Sequence, residues 1–305
     1  ELSYTPQIVI RAGKVNIDIN RENPEVVYFE RFMEKVREQI PADAIKGKLV
    51  APLGIGQLGE IIKMDFSSPE TPHLLIGGRS GSGKSVTINS IILSMMCLYS
   101  PKEVQFIFID PKRVEFIAFK NLVHTQSVIT DIEEAVEQLD RLVEEMERRY
   151  ELMAVEGATS LDQYIEVGGV EMPRLVVVFD EFADFMSQDK KQGSRVENSI
   201  MRLGQKARAA GIHLLICTQS PKADIISTNI RNNLGARLAL RAADQTASRI
   251  ILDDDGAERL GGKGDFLAKI DLPDIVRGKS PYLTTTVKKA LLNYFRTQDG
   301  QTRKD

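Results

Sequence analysis

Lys84 and Ser85 stand side by side behind a glycine-rich stretch, Gly78-Arg79-Ser80-Gly81-Ser82-Gly83, and Val86 follows them. Glycines spaced Gly-x-x-x-x-Gly let the main chain curl until successive N–H groups face inward and surround phosphate oxygens. An ammonium placed next reaches the β- and γ-phosphates of a triphosphate as a point charge, and the adjoining hydroxyl ligates Mg2+. Residues 78–86 are therefore the expected ATP-binding loop, with ATP and Mg2+ as the implied ligands and Ser85 as one metal ligand. Further on, the apolar run Leu175-Val176-Val177-Val178-Phe179 ends in Asp180-Glu181, 96 residues beyond Lys84. Asp180 is placed to hold Mg2+, usually through water, and Glu181 to polarise a water for attack on the γ-phosphate. Thr218-Gln219 ends the next apolar run, Ile212 to Cys217. Gln219 at that point can contact the γ-phosphate or the attacking water.

These side chains need a scaffold of strands and helices. The loop requires a strand before it, His73 to Ile76, and a helix after it, Val86 to Leu98, and both stretches are apolar. Val104 to Ile109 is a continuous apolar run of the kind buried on both faces of a parallel sheet. It ends in Asp110-Pro111-Lys112-Arg113, and open α/β sheets place ligands at the carboxyl ends of such strands. Asp110 and Lys112 are thus cleft candidates, beside the plainer reading of an Asp-Pro turn with solvated bases. One strand, Val104 to Asp110, is expected between the two motifs in sequence. With Glu181 and Gln219, this is the plan of RecA-like NTPases: an α/β fold, a mostly parallel sheet and helices on both faces.

The remaining chain supplies supporting elements. Residues 7–19 suggest two short strands around Gly13, and Asn23-Pro24 an N-cap opening a helix that runs to about Ile40. Residues 49–66 suggest a strand pair. Gly54-Ile55-Gly56-Gln57-Leu58-Gly59 matches the dinucleotide pattern, but a strand-like segment follows and no acid lies about twenty residues on, so a hairpin turn is the better reading. Residues 131–153 form a long amphipathic helix with Ile132, Val136, Leu139, Val143, Met146, Tyr150 and Met153 on one face. A helix is expected from Arg195 to Ala210, a strand over Leu234–Leu240 and a short helix over Thr246–Leu252. The expected division is a small α+β arm over 1–45, an ATPase domain over 46–296 and a polar tail over 297–305.

Bulk composition narrows the function. The chain has 305 residues, 42% of them hydrophobic, and a formal charge of −3, which argues against uniform coating of nucleic acid. The charge is uneven. Arg202 to Arg249 holds eight basic and two acidic residues, and Asp131 to Glu156 three basic and ten acidic ones. Such asymmetry suits a local anionic partner or, equally, two solvated helix faces. No run approaches the ~20 apolar residues of a membrane helix. Cys97 and Cys217 lie in apolar segments and suggest buried thiols of a reducing, cytoplasmic compartment. The chain opens at Glu1 without Met, as a fragment would, which leaves room for a membrane tether elsewhere in its parent.

The ordered motifs resemble the motor region of the FtsK/SpoIIIE family. They are Pro72 to Gly78 running into Gly81–Val86, Asp110-Pro111-Lys112, Met146 to Tyr150, Val178 to Asp184, Gln205 to His213, Thr218-Gln219, Ser248 to Asp253, Gly256-Ala257-Glu258 and Gly264-Asp265. The resemblance implies ATP-driven translocation of double-stranded DNA through a homo-oligomeric, hexameric ring whose active sites lie between subunits. Arg208 matches the family's proposed arginine finger, with a helix-terminal arginine as the alternative. Lys222, Arg231 and Arg249 fall where the family's DNA contacts lie, with surface ion pairing as the alternative. Ser220 replaces the arginine usual after Thr-Gln, Gln245 stands where a lysine is common, and no winged helix follows Arg296. Those departures put sequence-directed polarity in doubt. Protein export by an EccC-like motor and a nucleotide-gated assembly scaffold are the other expectations. The intact Lys84, Asp180 and Glu181 speak against the scaffold.

Overall fold

The computed structural model describes residues 7–11, 14–18, 26–188, 190–223, 225–271 and 274–297. In chain order its strands are β1 (Gln7–Arg11), β2 (Lys14–Asp18), β3 (Val50–Gly56), β4 (Ile61–Asp65), β5 (Leu74–Gly77), β6 (Val104–Ile109), β7 (Thr125–Ile129), β8 (Arg174–Phe179), β9 (Ile212–Thr218), β10 (Ala236–Leu240), β11 (Asp265–Asp271) and β12 (Asp274–Lys279). The helices are α1 (Phe29–Gln39), α2 (Ala42–Ile45), α3 (Lys84–Leu98), α4 (Ile132–Val155), α5 (Leu161–Glu166), α6 (Phe182–Gln188), α7 (Lys190–Lys206), α8 (Thr228–Asn233), α9 (Gln245–Leu252) and α10 (Thr285–Thr297).

Ten strands make one sheet in the order β4-β3-β12-β11-β10-β5-β9-β8-β6-β7. The six from β10 to β7 are parallel, and the other four pair antiparallel with their neighbours. Period-two alternation explains why the parallel strands are apolar throughout. Val176 and Val178 of β8 enter the core layer under α3, while Leu175, Val177 and Phe179 enter the layer under α4 and α7. β9 divides the same way, Leu215 and Cys217 against Leu214 and Ile216. Truncating a fully buried aromatic such as Phe179 to alanine removes about 3–5 kcal/mol.

Several expectations change here. Two strands, β6 and β7, separate the glycine-rich loop from β8 and Asp180-Glu181 in sequence. β7 was hidden because it is an edge strand reading Thr-Gln-Ser-Val-Ile, half polar and only partly buried. The RecA-like order survives, because β9 lies between β5 and β8. The first helix starts at Phe29; Asn23-Pro24 and Gly13 lie outside the described residues. Val27 and Tyr28 are held extended instead: the Tyr282 N–H donates to the Val27 carbonyl at 2.8 Å, and the Phe29 N–H to the Tyr282 carbonyl at 3.1 Å. From Phe29 onward the N-terminal arm shares the main core, since Phe32, Val36 and Ile40 pack in one cluster with Leu53 and Phe66. α7 occupies Lys190–Lys206, earlier than the expected Arg195–Ala210, and Ala207–Gly211 turns tightly into β9. Cys217 is buried and Cys97 half-buried, both as free thiols. Among the described residues no helix is long and apolar enough to cross a membrane.

Candidate active site

β5 stops at Gly77 and α3 starts at Lys84, so six residues must reverse the chain. Gly83, the N-cap of α3, has φ +102, and a Cβ there would meet the Gly264 nitrogen at 2.5 Å. Only glycine fits that position. Neighbouring segments brace the loop from outside. The Gly264 N–H donates to the Ser82 carbonyl at 2.9 Å, the Arg79 N–H to the Arg241 carbonyl at 2.9 Å, and the Gly78 N–H to the Thr218 carbonyl at 3.3 Å. The amides of Gly81, Gly83, Lys84 and Ser85 have no protein acceptor among the described residues. They line the inside of the turn at the positive end of α3, which is the construction of a phosphate cradle. Of the expected loop residues, Arg79, Ser80 and Gly81 are exposed, Ser82 and Lys84 buried, and Ser85 and Val86 intermediate.

The end of β8 brings two carboxylates to Lys84. Its Nζ lies 2.7 Å from Asp180 Oδ1 and 3.7 Å from Glu181 Oε2. All three residues are buried, at 5%, 4% and 3% exposure. Burial alone lowers the pKa of Lys84, but the negative groups around it, with Asp180 and Glu181 in contact, outweigh that and raise it. Glu181 has φ +51, a left-handed backbone that a non-glycine residue adopts at a cost of order 1 kcal/mol. That bend turns its carboxylate toward β9, where the Gln219 N–H donates to Oε1 at 3.0 Å. The sequence pointed to the side chain of Gln219; its main-chain amide is what touches Glu181, and the side chain is exposed.

The donor set fits Mg2+. Asp180 lies against Lys84, Ser85 follows Lys84 in the chain, and the buried Glu181 Oε2 beside Lys84 accepts no hydrogen bond. Among the described residues no three His, Cys, Asp or Glu side chains form a cage of their own. Mg2+ commonly takes one or two protein ligands and completes its shell with waters and phosphate oxygens.

Asp110 is buried, and its Oδ2 accepts the N–H groups of Glu115 and Phe116, each at 2.9 Å. Through Oδ2 it builds the turn, while its Oδ1 is buried without a hydrogen-bond partner. Lys112 is exposed. The turn delivers a residue that sequence reasoning passed over: Glu115 accepts a hydrogen bond from Ser85 Oγ and another from Asn89 Nδ2, the latter at 3.4 Å. The only signal was an Asp-Pro turn with a carboxylate five residues on; where that carboxylate points is set by the Asp110 side chain.

Arg208 is exposed, and Nη1 donates to the Ser67 carbonyl at 3.3 Å. It precedes β9, whereas the phosphate loop lies level with the far end of that strand, Gly77 opposite Thr218. The seven residues of β9 put about 20 Å between them at ~3.3 Å per residue. Lys222 is exposed. Arg249 is exposed and bonds both oxygens of Asp255, at 2.6 and 2.9 Å. Arg231 is less exposed: its side chain is 17% exposed, paired with Asp253 at 3.3 Å and bonded to Thr228 at 3.0 Å. Its guanidinium thereby ties α8 to the residue that follows α9. The two charged stretches partly answer each other, through Arg202–Glu147 at 3.3 Å and, just ahead of the basic stretch, Arg195–Asp140 at 2.7 Å. His213 is buried and bonded to the Pro72 carbonyl at 3.0 Å.

Residues 33–172 and 169–223 match the FtsK/SpoIIIE family. The chain is 39% identical over 300 residues to DNA translocase FtsK of Streptococcus pneumoniae, covering 94% of this chain and 38% of that protein. It is 43% identical over 241 residues to DNA translocase SftA of Bacillus subtilis, covering 76% of this chain and 25% of that one. The chain thus spans well under half the length of these relatives. Among solved structures it is similar to the pCW3 conjugation coupling protein TcpA with ATPγS, at TM-score 0.74 and 28% identity over 94% of this chain and 80% of TcpA. It is also similar to the cytoplasmic domain of the type VII secretion ATPase EccC of Thermomonospora curvata, at TM-score 0.71 and 25% identity over 81% of this chain and 31% of EccC.

Proposed function

Because the chain belongs to the FtsK/SpoIIIE family, we propose that it hydrolyses ATP to move double-stranded DNA through a hexameric ring of its own copies. The observation that carries this reading is the division of the chemistry between two ends of one subunit. The unpaired amides, Lys84 and Glu181 sit at the carboxyl ends of the parallel strands. The exposed Arg208 sits at the opposite end, about 20 Å away along β9. A nucleotide on the loop is out of reach of its own Arg208, so the site is completed by a neighbour.

In this proposal the loop amides and Lys84 hold the β- and γ-phosphates, the ammonium exchanging Asp180 and Glu181 for phosphate oxygens. Ser85 and Asp180 would hold Mg2+, which would supply charge neutralisation at the phosphates. Glu181, tethered by the Gln219 amide, accepts the proton of the attacking water, and the Gln219 side chain orients that water. Arg208 of the next copy stabilises the charge that spreads over the γ-phosphoryl oxygens. Lys222 and Arg249 touch DNA phosphates, which are the same whatever the sequence, as a translocase requires. ATP and DNA as substrates place this work in the cytoplasm.

ATP turnover measured with and without duplex DNA, from low to moderate salt, tests the reading. Stimulation by DNA that fades steeply as salt rises is expected. Turnover indifferent to DNA at low salt overturns it. The likeness to EccC motivates a second reading, movement of a protein, for which a signal peptide and not DNA would stimulate the same assay.

A further inference from the structure

We infer that Glu115 is a positioning residue for the cation end of the nucleotide site, accepting the hydrogen bond of the Ser85 hydroxyl so that the oxygen's lone pairs are turned toward a divalent cation. The inference rests on the nucleotide-site reading above. A serine hydroxyl has one proton and two lone pairs, so an oxygen that ligates a cation must send its proton elsewhere. Asp180, the nearest carboxylate by sequence logic, is engaged by Lys84 at 2.7 Å. The acceptor the structure supplies is Glu115, 30 residues away from Ser85 in the chain.

The placement of Glu115 is fixed from both ends. Its main-chain N–H is bonded to the buried Asp110 carboxylate at 2.9 Å. The next residue, Phe116, is fully buried, with its ring centroid 4.9 Å from that of Phe108 and 5.8 Å from that of Phe119. The carboxylate meets two successive turns of α3: Ser85 through one oxygen, and through the other Asn89 Nδ2, which also donates to the Ser85 carbonyl at 2.7 Å. A surface glutamate with a free stem would not be held this way. Nor is Glu115 a helix cap, because the first amides of α3 remain unbonded.

The charge of Glu115 makes the inference sharp. A carboxylate beside the cradle repels a bare triphosphate and favours one carrying a divalent cation. Its removal should therefore weaken Mg2+-dependent binding without weakening binding in EDTA, which a merely structural role would not do.

The test is ATPγS binding to the wild-type chain and to Glu115→Gln, titrated with Mg2+ and repeated in EDTA. Glutamine keeps the size and an acceptor oxygen but loses the charge. The Mg2+ concentration for half-maximal binding should rise about five- to tenfold, which corresponds to roughly 1–1.4 kcal/mol. Affinity in EDTA should stay level or tighten. A half-saturating Mg2+ within twofold of wild type overturns the inference, and so does an equal weakening in both conditions. A wild-type chain that binds ATPγS in neither condition sinks the nucleotide-site reading itself. Mg2+-dependent wild-type binding that Glu115→Gln reproduces sinks only the role of Glu115.

Discussion

Lys84 and Arg249 are each paired with an aspartate, Lys84 with Asp180 at 2.7 Å and Arg249 with Asp255 at 2.6 Å, but the first pair is buried and the second stands in solvent. The buried pair is positioned by main chain on both sides, by the glycine turn into α3 and by the end of β8. Little rotamer freedom remains, water is scarce, and charges there interact strongly. The exposed pair joins the last turn of α9 to the loop after it and is screened by salt. In the proposed motor the difference has a use. Phosphoryl transfer needs groups preorganised to a fraction of an ångström, whereas a polymer that must slip past needs contacts that form and release.

The largest effect that tests this contrast concerns Arg208, an exposed cation assigned chemistry rather than grip. Arg208→Ala should lower turnover by about 10³-fold or more, the range of other arginine fingers, while ATP binding stays unchanged. Mixing it with Glu181→Ala distinguishes action on a neighbour from action at home. Each variant supplies what the other lacks, and about a quarter of the interfaces in a random ring would be complete. Recovered turnover in the mixture is the expected outcome; an inert mixture places Arg208 outside the chemistry. Glu181→Ala alone should lower turnover by about 10²–10⁴-fold and leave ATPγS affinity within a few-fold of wild type, measured by equilibrium binding.

Acid provides a smaller, thermodynamic test of how much the buried side depends on neutrality. His73, in the turn before β5, accepts the Leu214 N–H at 3.0 Å, and His213 in β9 lies beside it with ring centroids 6.4 Å apart. Burial pushes His73 down to about 4 and His213 to about 3, the latter further lowered by His73. The unfolded chain titrates near 6.5, so below that pH it binds more protons than the folded chain. Stability is thus full above about 6.5 and is lost as the pH falls toward 4, by up to ~1.4 kcal/mol per pH unit for each histidine. Urea midpoints taken at pH 7 and pH 5 should show the drop, and His213→Gln should reduce it. Equal midpoints would mean that the pair is less secluded than its burial indicates.

How much of this was legible in the chain follows the same contrast. The phosphate loop, the apolar runs of β6, β8 and β9 and the pair Asp180-Glu181 could be read directly, because backbone sterics and burial on both sheet faces leave few residue choices. β7 was not legible, since an edge strand has no need of a continuous apolar run. The start of α1 was missed because the extended conformation of Val27 and Tyr28 is set by Tyr282, more than two hundred residues away. Glu115 and the Gln219 amide escaped for a related reason. Each acts through a turn whose direction depends on tertiary contacts, Asp110 in one case and the left-handed Glu181 in the other. Exposed arginines were the least legible of all: nothing in the spacing told Arg231, folded against Asp253, from Arg249.

The smallest effect concerns Arg249 itself. Hydrogen bonds from Arg249 hold the Asp255 carboxyl below its usual range, and Gln245 Nε2 adds a contact at 2.8 Å, so the guanidinium is kept in one place by a partner that competes with phosphate. Asp255→Asn removes the competing charge without removing the cation. Duplex DNA should then bind about two- to fivefold more tightly at low salt, with a log K against log salt slope steeper by up to about one. Arg249→Ala should do the reverse, flattening the slope by about one and weakening all sequences alike. Fluorescence anisotropy over a salt series measures both variants together. If neither changes the slope, the Arg249–Asp255 pair is a local brace like that of Arg231, and Lys222 is left to carry the grip on the polymer.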